Sequence, residues 1–250
     1  PETKPAPAQG EGGVKYVDWR DVIYTGPNLL FGPPLSGKSR FAWAIMSQLL
    51  GEGKKVLYIA TEPNLVPILD QLRKVLSDAV IEYFENPFQV REYARLLYIR
   101  RKWVKYDFVV VDSLAGVRED YSSMYGTGTV SDTFETNRLT TMIVWSLARY
   151  TYYNGVPALI ITHETPIIRR ERRASNERNE RRQACFGEET CPTSSTHAMY
   201  TVSSIMHMYK LERMDEEGNV IGVERVIEVV EHRYKPELVK CRVKLIEPPF

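Results

Sequence analysis

Residues 32–39 read GPPLSGKS and hold the residue types that a triphosphate requires. Gly32 and Gly37 let the backbone wrap closely around an anion, and the N–H groups of a following helix face that anion. The Lys38 ammonium can reach the outer phosphates, and the Ser39 hydroxyl is a ligand for Mg²⁺. A chance glycine-rich turn is the alternative, but the full pattern between a strand-like and a helix-like segment favours a phosphate-binding loop. The predicted ATP-binding residues are Gly32, Pro33, Pro34, Leu35, Ser36, Gly37, Lys38, Ser39 and Arg40.

Two carboxylates are placed to complete the chemistry of this loop. Asp112 ends the apolar run FVVVD, and the carboxyl edge of a sheet would bring it beside Ser39 as a second Mg²⁺ ligand. Glu62 follows the run VLYIA by two residues and can accept a proton from an attacking water. Each has a simpler explanation, a plain strand end for Asp112 and a solvated loop for Glu62. We predict Ser39 and Asp112 as the metal ligands, and position alone leaves the role of Glu62 open.

Short apolar runs alternate with longer segments of helical spacing. The strand-like runs are NLLF (28–31), VLYIA (56–60), VIEYF (80–84), FVVVD (108–112) and ALIIT (158–162). Residues 40–50 form a helix-type segment without Gly or Pro, and Leu139, Ile143 and Leu147 repeat at helical spacing. Apolar strands separated by helices predict an α/β fold with a mostly parallel central sheet and helices on both faces.

The chain changes character after Pro192. Segments 196–212, 224–235 and 241–247 read as successive strands with DEEGN (215–219) as a turn, which predicts antiparallel strands at the C-terminal end. The first 13 residues, PETKPAPAQGEGG, hold Pro, Gly and charge with little to bury, so we expect a flexible tail. The predicted organisation is this tail, 1–13, followed by one core domain, 14–250.

Composition suits a soluble globular domain. The 250 residues are 43% hydrophobic and 26% charged, with a formal net charge of +1. No run approaches the roughly 18 apolar residues of a membrane span, and no charged-then-apolar leader is found, so we expect no membrane association. Cys185, Cys191 and Cys241 lack the spacing of a disulfide framework or a zinc site, and the predicted location is the cytoplasm.

Several of these segments, in this order and spacing, resemble the RecA/RadA recombinase superfamily from about Asn28 to Ile246. The chain looks closest to archaeal RadA and its shorter paralogues, and KaiC-like ATPases are more distant. GEGKKVLYIATEP is similar to the family strand that ends in Thr-Glu, and FVVVDSLAGVREDYS to the Asp-Ser strand and first DNA-facing loop. The resemblance implies a RecA-like P-loop NTPase fold, ATP and Mg²⁺ as cofactors, and Glu62 and Lys38 as catalytic residues.

The sensor strand departs from the resembling proteins. They usually carry Thr-Asn-Gln where this chain has Thr162, His163 and Glu164, and their Gln links the γ-phosphate to the DNA-binding loops. A carboxylate there would repel phosphate unless it is protonated, bridged by a metal or turned away. Either His163 takes over the contact or the coupling is weakened. The helical DNA-binding domain and Phe-x-x-Ala segment of full recombinases are also not found, which favours a core-only paralogue.

The stretch 169–182, RRERRASNERNERR, stands where the resembling proteins have their second DNA-binding loop. It holds seven Arg and three Glu, and arginine suits phosphate backbones because it stays charged and binds in a bidentate manner. An exposed helix with ion pairs such as Arg173–Glu177 is the alternative. The predicted DNA-binding residues are Arg169, Arg170, Arg172, Arg173, Arg178, Arg181 and Arg182.

Two further groups of residues follow from the resemblance. A loop around Tyr121 and Tyr125 would add base stacking, although aromatic residues in a loop are as often there for packing. In the resembling proteins the loop that holds Arg233 and Lys235 approaches the ATP of the adjacent subunit, which implies a trans contact and a homo-oligomer assembled through ATP. The alternative for Arg233 and Lys235 is a charged turn before Pro236.

The predicted function is therefore that of an ATP-dependent, DNA-binding ATPase in recombination or repair. Slow Mg²⁺-dependent hydrolysis would couple ATP occupancy to DNA binding, with single-stranded DNA the favoured partner and a full-length recombinase a second one. The alternative is a KaiC-like switch or assembly ATPase that acts on protein partners without DNA. A third possibility is a paralogue that binds ATP structurally and barely turns it over.

Overall fold

The fold is known for most of the chain from a computed structural model. It describes residues 14–125, 130–166, 190–192, 196–214 and 220–248. The predicted tail 1–13 and the predicted turn 215–219 lie outside the described residues.

A mostly parallel sheet forms the centre of the molecule. The described strands are β1 Tyr16–Val17, β2 Gly26–Gly32, β3 Val56–Ala60, β4 Val80–Tyr83, β5 Phe108–Asp112, β6 Pro157–Pro166, β7 Thr190–Pro192, β8 Ser204–Met214, β9 Val220–His232 and β10 Arg242–Val243. Their order in the sheet is β1-β10-β9-β8-β2-β6-β5-β3-β4, and β7 pairs with β6. All pairs from β8 through β4 are parallel, whereas β8–β9 and β9–β10 are antiparallel.

Helices cover both faces of this sheet. The described helices are α1 Trp19–Val22, α2 Lys38–Gly51, α3 Val66–Val75, α4 Pro87–Ile99, α5 Leu114–Tyr125, α6 Val130–Asn154 and α7 Thr196–Met199. In β3, Tyr58 packs in the apolar cluster with α1, α2 and α3, while Leu57 and Ile59 pack in the cluster with α4, α5 and α6. Because both faces are buried, the central strands read as continuous apolar runs rather than alternating ones.

The sequence prediction of the fold class is confirmed, with local differences near the C-terminal end. All five predicted strands before residue 163 form, and so do the helix at 40–50 and the antiparallel β8–β9 pair. The segment 196–212 is not one strand, because α7 and a turn precede β8. The segment 241–247 is also mostly not a strand, since only Arg242 and Val243 pair with β9.

The prediction of a loop after Asp112 is wrong. Residues Leu114–Tyr125 form helix α5, and Leu114 and Val117 are buried in the cluster with α4 and α6. Tyr121 and Tyr125 lie on this helix, with ring centroids 6.0 and 5.3 Å from that of Phe88 on α4. The packing alternative for these two tyrosines therefore holds within the chain, rather than base stacking from a loop.

The parallel strands bring the predicted site residues to one edge of the sheet. Gly32 at the end of β2 is in register with His163 on β6, and Ala60 at the end of β3 is in register with Asp112. Carboxyl ends of parallel strands meet at one edge, which is where α/β proteins bind their ligands. The phosphate-binding loop, Glu62, Asp112 and His163 accordingly converge there.

Candidate active site

The phosphate-binding loop connects β2 to the N-terminus of α2. Gly37 caps the helix with a φ of 107°, a left-handed conformation that favours glycine, and its carbonyl accepts the hydrogen bond from Phe41 N at 2.9 Å. Gly32 meets a different constraint, because a Cβ atom there would lie 1.9 Å from the backbone oxygen of Met208 on β8. Strand β8 therefore passes directly against the start of the loop.

The Lys38 ammonium is folded back into the loop. Its Nζ donates to the carbonyl oxygens of Gly32 at 2.9 Å and Pro33 at 2.7 Å, and to Ser36 Oγ at 3.4 Å. Burial lowers the pKa of Lys38, and the nearby carboxylates, led by Asp112, partly offset that effect. The cation is thus held inside the cradle that the sequence predicted for phosphate.

Asp112 is buried at the end of β5 and keeps one oxygen unsatisfied. Its Oδ2 accepts a hydrogen bond of 2.7 Å from the hydroxyl of Tyr58, while Oδ1 has no hydrogen-bond partner among the described residues. Burial raises the pKa of Asp112 to about 6, the Glu62 carboxylate adds to the rise, and the hydroxyls of Tyr58 and Ser39 oppose it. A buried carboxylate oxygen without a donor is suited to a cation.

Glu62 is held by two side chains beyond the end of β3. Ser113 Oγ donates to Glu62 Oε1, and His163 Nε2 lies 3.4 Å from the same oxygen. Thr61 accepts from Ser113 N at 2.8 Å and donates to Ser113 O at 2.6 Å, which fixes the two strand ends together. Burial raises the pKa of Glu62, but the interactions with His163, Ser113 and Asn64 together outweigh burial and keep the pKa below its ordinary value. The carboxylate is therefore ionised at neutral pH and able to accept a proton.

The two unusual sensor residues face different partners. His163 contacts Glu62, whereas Glu164 Oε2 lies 2.9 Å from Nε2 of His207 on β8. The His207 ring stacks on Phe31, with centroids 4.5 Å apart and planes 6° from parallel. Of the three possibilities that the sequence left open for Glu164, this geometry favours a carboxylate that is turned away, toward His207 on β8, which lies two strands from β6 in the sheet.

A cavity of about 260 Å³ joins the phosphate-binding loop, Glu62, Asp112 and His163. Its lining includes Pro34, Leu35, Gly37, Lys38, Ser39, Arg40, Glu62, Asn64, Leu65, Asp112, Ile161, His163 and Arg225. The sequence predicted neither Asn64 nor Arg225 as part of the site. Arg225 comes from β9, and its Cδ and Nε lie 3.2 and 3.3 Å from the place of a Cβ at Gly37, so its stem covers the loop.

The residues present fit ATP and Mg²⁺. The loop offers backbone N–H groups at a helix N-terminus with Lys38 inside, and the free Asp112 Oδ1 lies buried in the same cavity wall. Within the described residues, no group of three or more His, Cys, Asp or Glu could hold a metal ion by itself. Mg²⁺ in triphosphate sites needs no such cage, because one or two protein ligands, phosphate oxygens and water suffice. Ser39 and Asp112 are the residues that would hold it.

Other predicted residues lie away from this cavity. Arg233 and Lys235 follow β9 where His232 pairs with Ser204, the first residue of β8, whereas Met208 beside the loop lies four residues further along β8. Arg233 donates to the carbonyl of Tyr200, and Lys235 Nζ donates to Asp21 O at 3.0 Å. Their trans contact stays a prediction. The predicted DNA-binding arginines of 169–182 lie outside the described residues.

The comparisons with known proteins agree with this geometry at the level of the fold. A scan against family models finds no match, and neither does a search of curated proteins. Among solved structures, the crystal structure of the RadB recombinase matches with 17% sequence identity and a TM-score of 0.54. The alignment covers 90% of this chain and 93% of that chain. The chain has a RecA-like α/β fold.

Several contacts of the site were not predicted from the sequence. They come from Tyr58, Asn64, Ser113, His207 and Arg225. Only Tyr58 carries a local signal, because a tyrosine in a fully buried strand requires a partner for its hydroxyl.

None of the described helices is long and apolar enough to cross a membrane.

Proposed function

We propose that this chain is a Mg²⁺-dependent ATPase of the RecA type that binds DNA and acts in recombination or repair. The observation that carries the ATPase proposal is the convergence of Lys38, Asp112 and Glu62 on one cavity beside a glycine-capped helix N-terminus. Three elements distant in the chain supply these groups. Lys38 lies inside the loop, the pKa of Glu62 is below its ordinary value, and Asp112 has one oxygen free.

Each residue has one task in this proposal. Lys38 and the loop N–H groups bind and orient the phosphates, which is the main contribution of a protein to phosphoryl transfer. Glu62 accepts a proton from the attacking water at its carboxylate, and Ser113 and His163 hold that carboxylate in place. Mg²⁺, when bound by Ser39 and Asp112, would neutralise charge on the phosphates. Arg225 places a further cation at the mouth of the cavity.

The DNA-binding part of the proposal rests on the fold and on the sequence. The likeness to the RadB recombinase supports a role in recombination, and the arginine-rich stretch 169–182 follows the sensor strand β6 in the sequence. We propose single-stranded DNA as the ligand, a full-length recombinase as a partner, ATP-linked homo-oligomers and a cytoplasmic location.

ATP turnover with and without single-stranded DNA tests the proposal. We expect slow, Mg²⁺-dependent hydrolysis that rises when DNA is added, and loss of turnover in Glu62→Gln, with Glu52→Gln as a control on the exposed surface. No nucleotide binding by the wild-type chain would refute the ATPase. Binding and turnover that are the same with and without DNA, together with no DNA binding at low salt, would refute the DNA part.

One observation favours the alternative function. Glu164 occupies the position from which the resembling proteins couple ATP to DNA, and it faces His207 instead. If the rate of ATP hydrolysis does not change when DNA is added, the chain would instead be a switch. Its nucleotide state would then control its contacts with protein partners. The same measurement therefore separates the two functions.

A further inference from the structure

A cationic surface with an exposed tryptophan lies at the end of the sheet away from the ATP cavity. We call it the Trp103 patch, and it comprises Lys54, Lys55, Arg100, Arg101, Lys102, Trp103, Lys105 and Arg149. Four of the six residues 100–105 are Arg or Lys and none is acidic. The patch combines the end of α4, the turns before β3 and β5, and the last part of α6.

The strand directions fix the position of the patch. Lys55 directly precedes β3, and Lys105 lies just before β5, so the patch stands at the amino ends of these strands. Asp112 and Glu62 stand at their carboxyl ends, one strand length away, or roughly 15 Å at 3.3 Å per residue. A ligand on the patch would therefore not compete for the phosphate-binding loop.

Trp103 is presented to solvent by an ordered turn. Its side chain is 79% exposed, although tryptophan is normally well buried in folded proteins. The backbone N–H groups of Trp103 and Val104 both donate to Arg100 O at 2.9 Å, which closes the turn beneath the ring. A large, exposed aromatic face on a hydrogen-bonded turn is suited to stacking against a planar ligand.

Neighbouring aromatic rings fix part of the cationic surface. The Arg101 guanidinium lies 4.5 Å from the ring centroid of Tyr98 and 4.6 Å from that of Tyr153, which joins the ends of α4 and α6. Arg149 also lies over Tyr98, at 5.4 Å. Cations that already stack on rings lose less side-chain entropy when they bind a ligand.

The charge of the patch is not balanced within the described chain. No carboxylate of the described residues forms an ion pair with any of its seven cations. Of the two acids nearest in sequence, Glu52 pairs with Arg20, and Asp107 accepts from Lys55 N at 2.8 Å. Cations at a helix C-terminus do stabilise the helix dipole, which accounts for Arg100 and Arg101. That effect explains neither Lys54, Lys55 and Lys105 nor the exposed Trp103.

We propose that the Trp103 patch binds single-stranded nucleic acid independently of ATP. Its cations would contact the phosphate backbone, and Trp103 would stack on an unpaired base, the combination by which single strands are bound without sequence preference. Duplex fits less well because its bases are already stacked on one another. The site is separate from the cavity that holds Lys38, Glu62 and Asp112.

Fluorescence anisotropy with labelled oligothymidine, measured without ATP at low salt, tests the inference. We expect Trp103→Ala to weaken binding about 5- to 150-fold, the range for loss of one stacked base, while Trp103→Phe retains most of the affinity. The variant Arg100→Ala/Lys102→Ala/Lys105→Ala should reduce the log–log salt slope by roughly 0.7 for each lost phosphate contact. It leaves Arg101 intact because Arg101 packs against Tyr98 and Tyr153.

The controls keep the inference separate from the proposed function. Lys244→Ala removes an exposed cation that follows β10, near the opposite edge of the sheet from β3 and β5, and should leave the affinity for oligothymidine unchanged. Thermal melting establishes that each variant is folded. Loss of oligothymidine binding in an Arg169→Ala/Arg170→Ala variant, with no effect of the Trp103 variants, would overturn the inference and leave the proposed function standing. Trp103-dependent binding to phosphatidylserine vesicles or polyglutamate, with none to oligothymidine, would also overturn it.

Discussion

Replacing Gly32 by alanine separates the two reasons for a glycine at the start of the phosphate-binding loop. A Cβ at Gly32 would lie 1.9 Å from the backbone oxygen of Met208, whereas ordinary carbon contacts begin near 3.5 Å. Strand β8 would have to move by roughly 1.5 Å, and backbone cannot swing away as a flexible side chain does. We expect a loss of about 3 kcal/mol in unfolding free energy, at the upper end of overpacking effects.

Thermal melting of nucleotide-free protein measures this effect. For a chain of this length, about 3 kcal/mol corresponds to a fall of roughly 6–12 °C in Tm. Gly51→Ala is the matched control, because no atom lies within 4 Å of its added Cβ at the end of α2. That control should melt at the same temperature or slightly higher, since alanine favours the helix. Wild-type Tm in Gly32→Ala, with reduced ATP affinity only, would refute the reasoning and assign Gly32 to phosphate alone.

Three further predictions concern the cavity of the candidate active site. Lys38→Ala should lose nucleotide affinity yet keep the Tm of the wild type within a few degrees. Unchanged affinity in a fluorescent-nucleotide titration would refute the assignment of this loop to phosphate binding. Glu62→Gln should bind ATP but hydrolyse it about 10²–10⁴ times more slowly in single-turnover assays. Hydrolysis within a few-fold of wild type would instead make Glu164 the next candidate base. Without nucleotide and Mg²⁺, Asp112 should destabilise the fold as the pH rises toward its pKa of about 6, because burial raises that pKa above its unfolded value. The cost grows from about pH 4 to pH 6 and reaches roughly 3 kcal/mol at 1.36 kcal/mol per pKa unit. Urea denaturation of wild type and Asp112→Asn should therefore differ more at pH 7 than at pH 4.5, and an equal difference at both pH values would contradict the burial argument.

The sequence predicted those parts of the site that depend on contiguous residues. The phosphate-binding loop has all its chemistry in nine consecutive positions, and Asp112 follows from the end of an apolar strand. Helix α5 could also have been predicted from its own residues, because Leu114, Val117 and Tyr121 have helical spacing. The resemblance to proteins with a loop at this position led to the wrong prediction.

The other contacts of the site depend on which strands become neighbours. Tyr58 reaches Asp112 across 54 positions, and His207 reaches Glu164 across 43. Arg225 reaches the loop only because β9 pairs with β8 and β8 pairs with β2. No local pattern encodes these neighbours, because strand order is decided by burial and connection geometry over the whole chain.

The pairing of β2 with β8 also sets the order in which the molecule can be completed during synthesis. Asn28 and Ser204, joined by a hydrogen bond, are 176 positions apart. At about 5–20 residues per second, the ribosome needs roughly 9–35 s to supply β8 after it has made β2. Throughout that interval the strand leading into the phosphate-binding loop lacks β8 on one edge, and until β6 is made it lacks its partner on the other edge as well. A bare strand edge is a template for pairing with other chains. Residues 32–40 are made at the start of that interval, whereas Met208 and Arg225, which lie against Gly32 and Gly37 in the fold, are made only after it, so the nascent loop lacks the two strands that cover it.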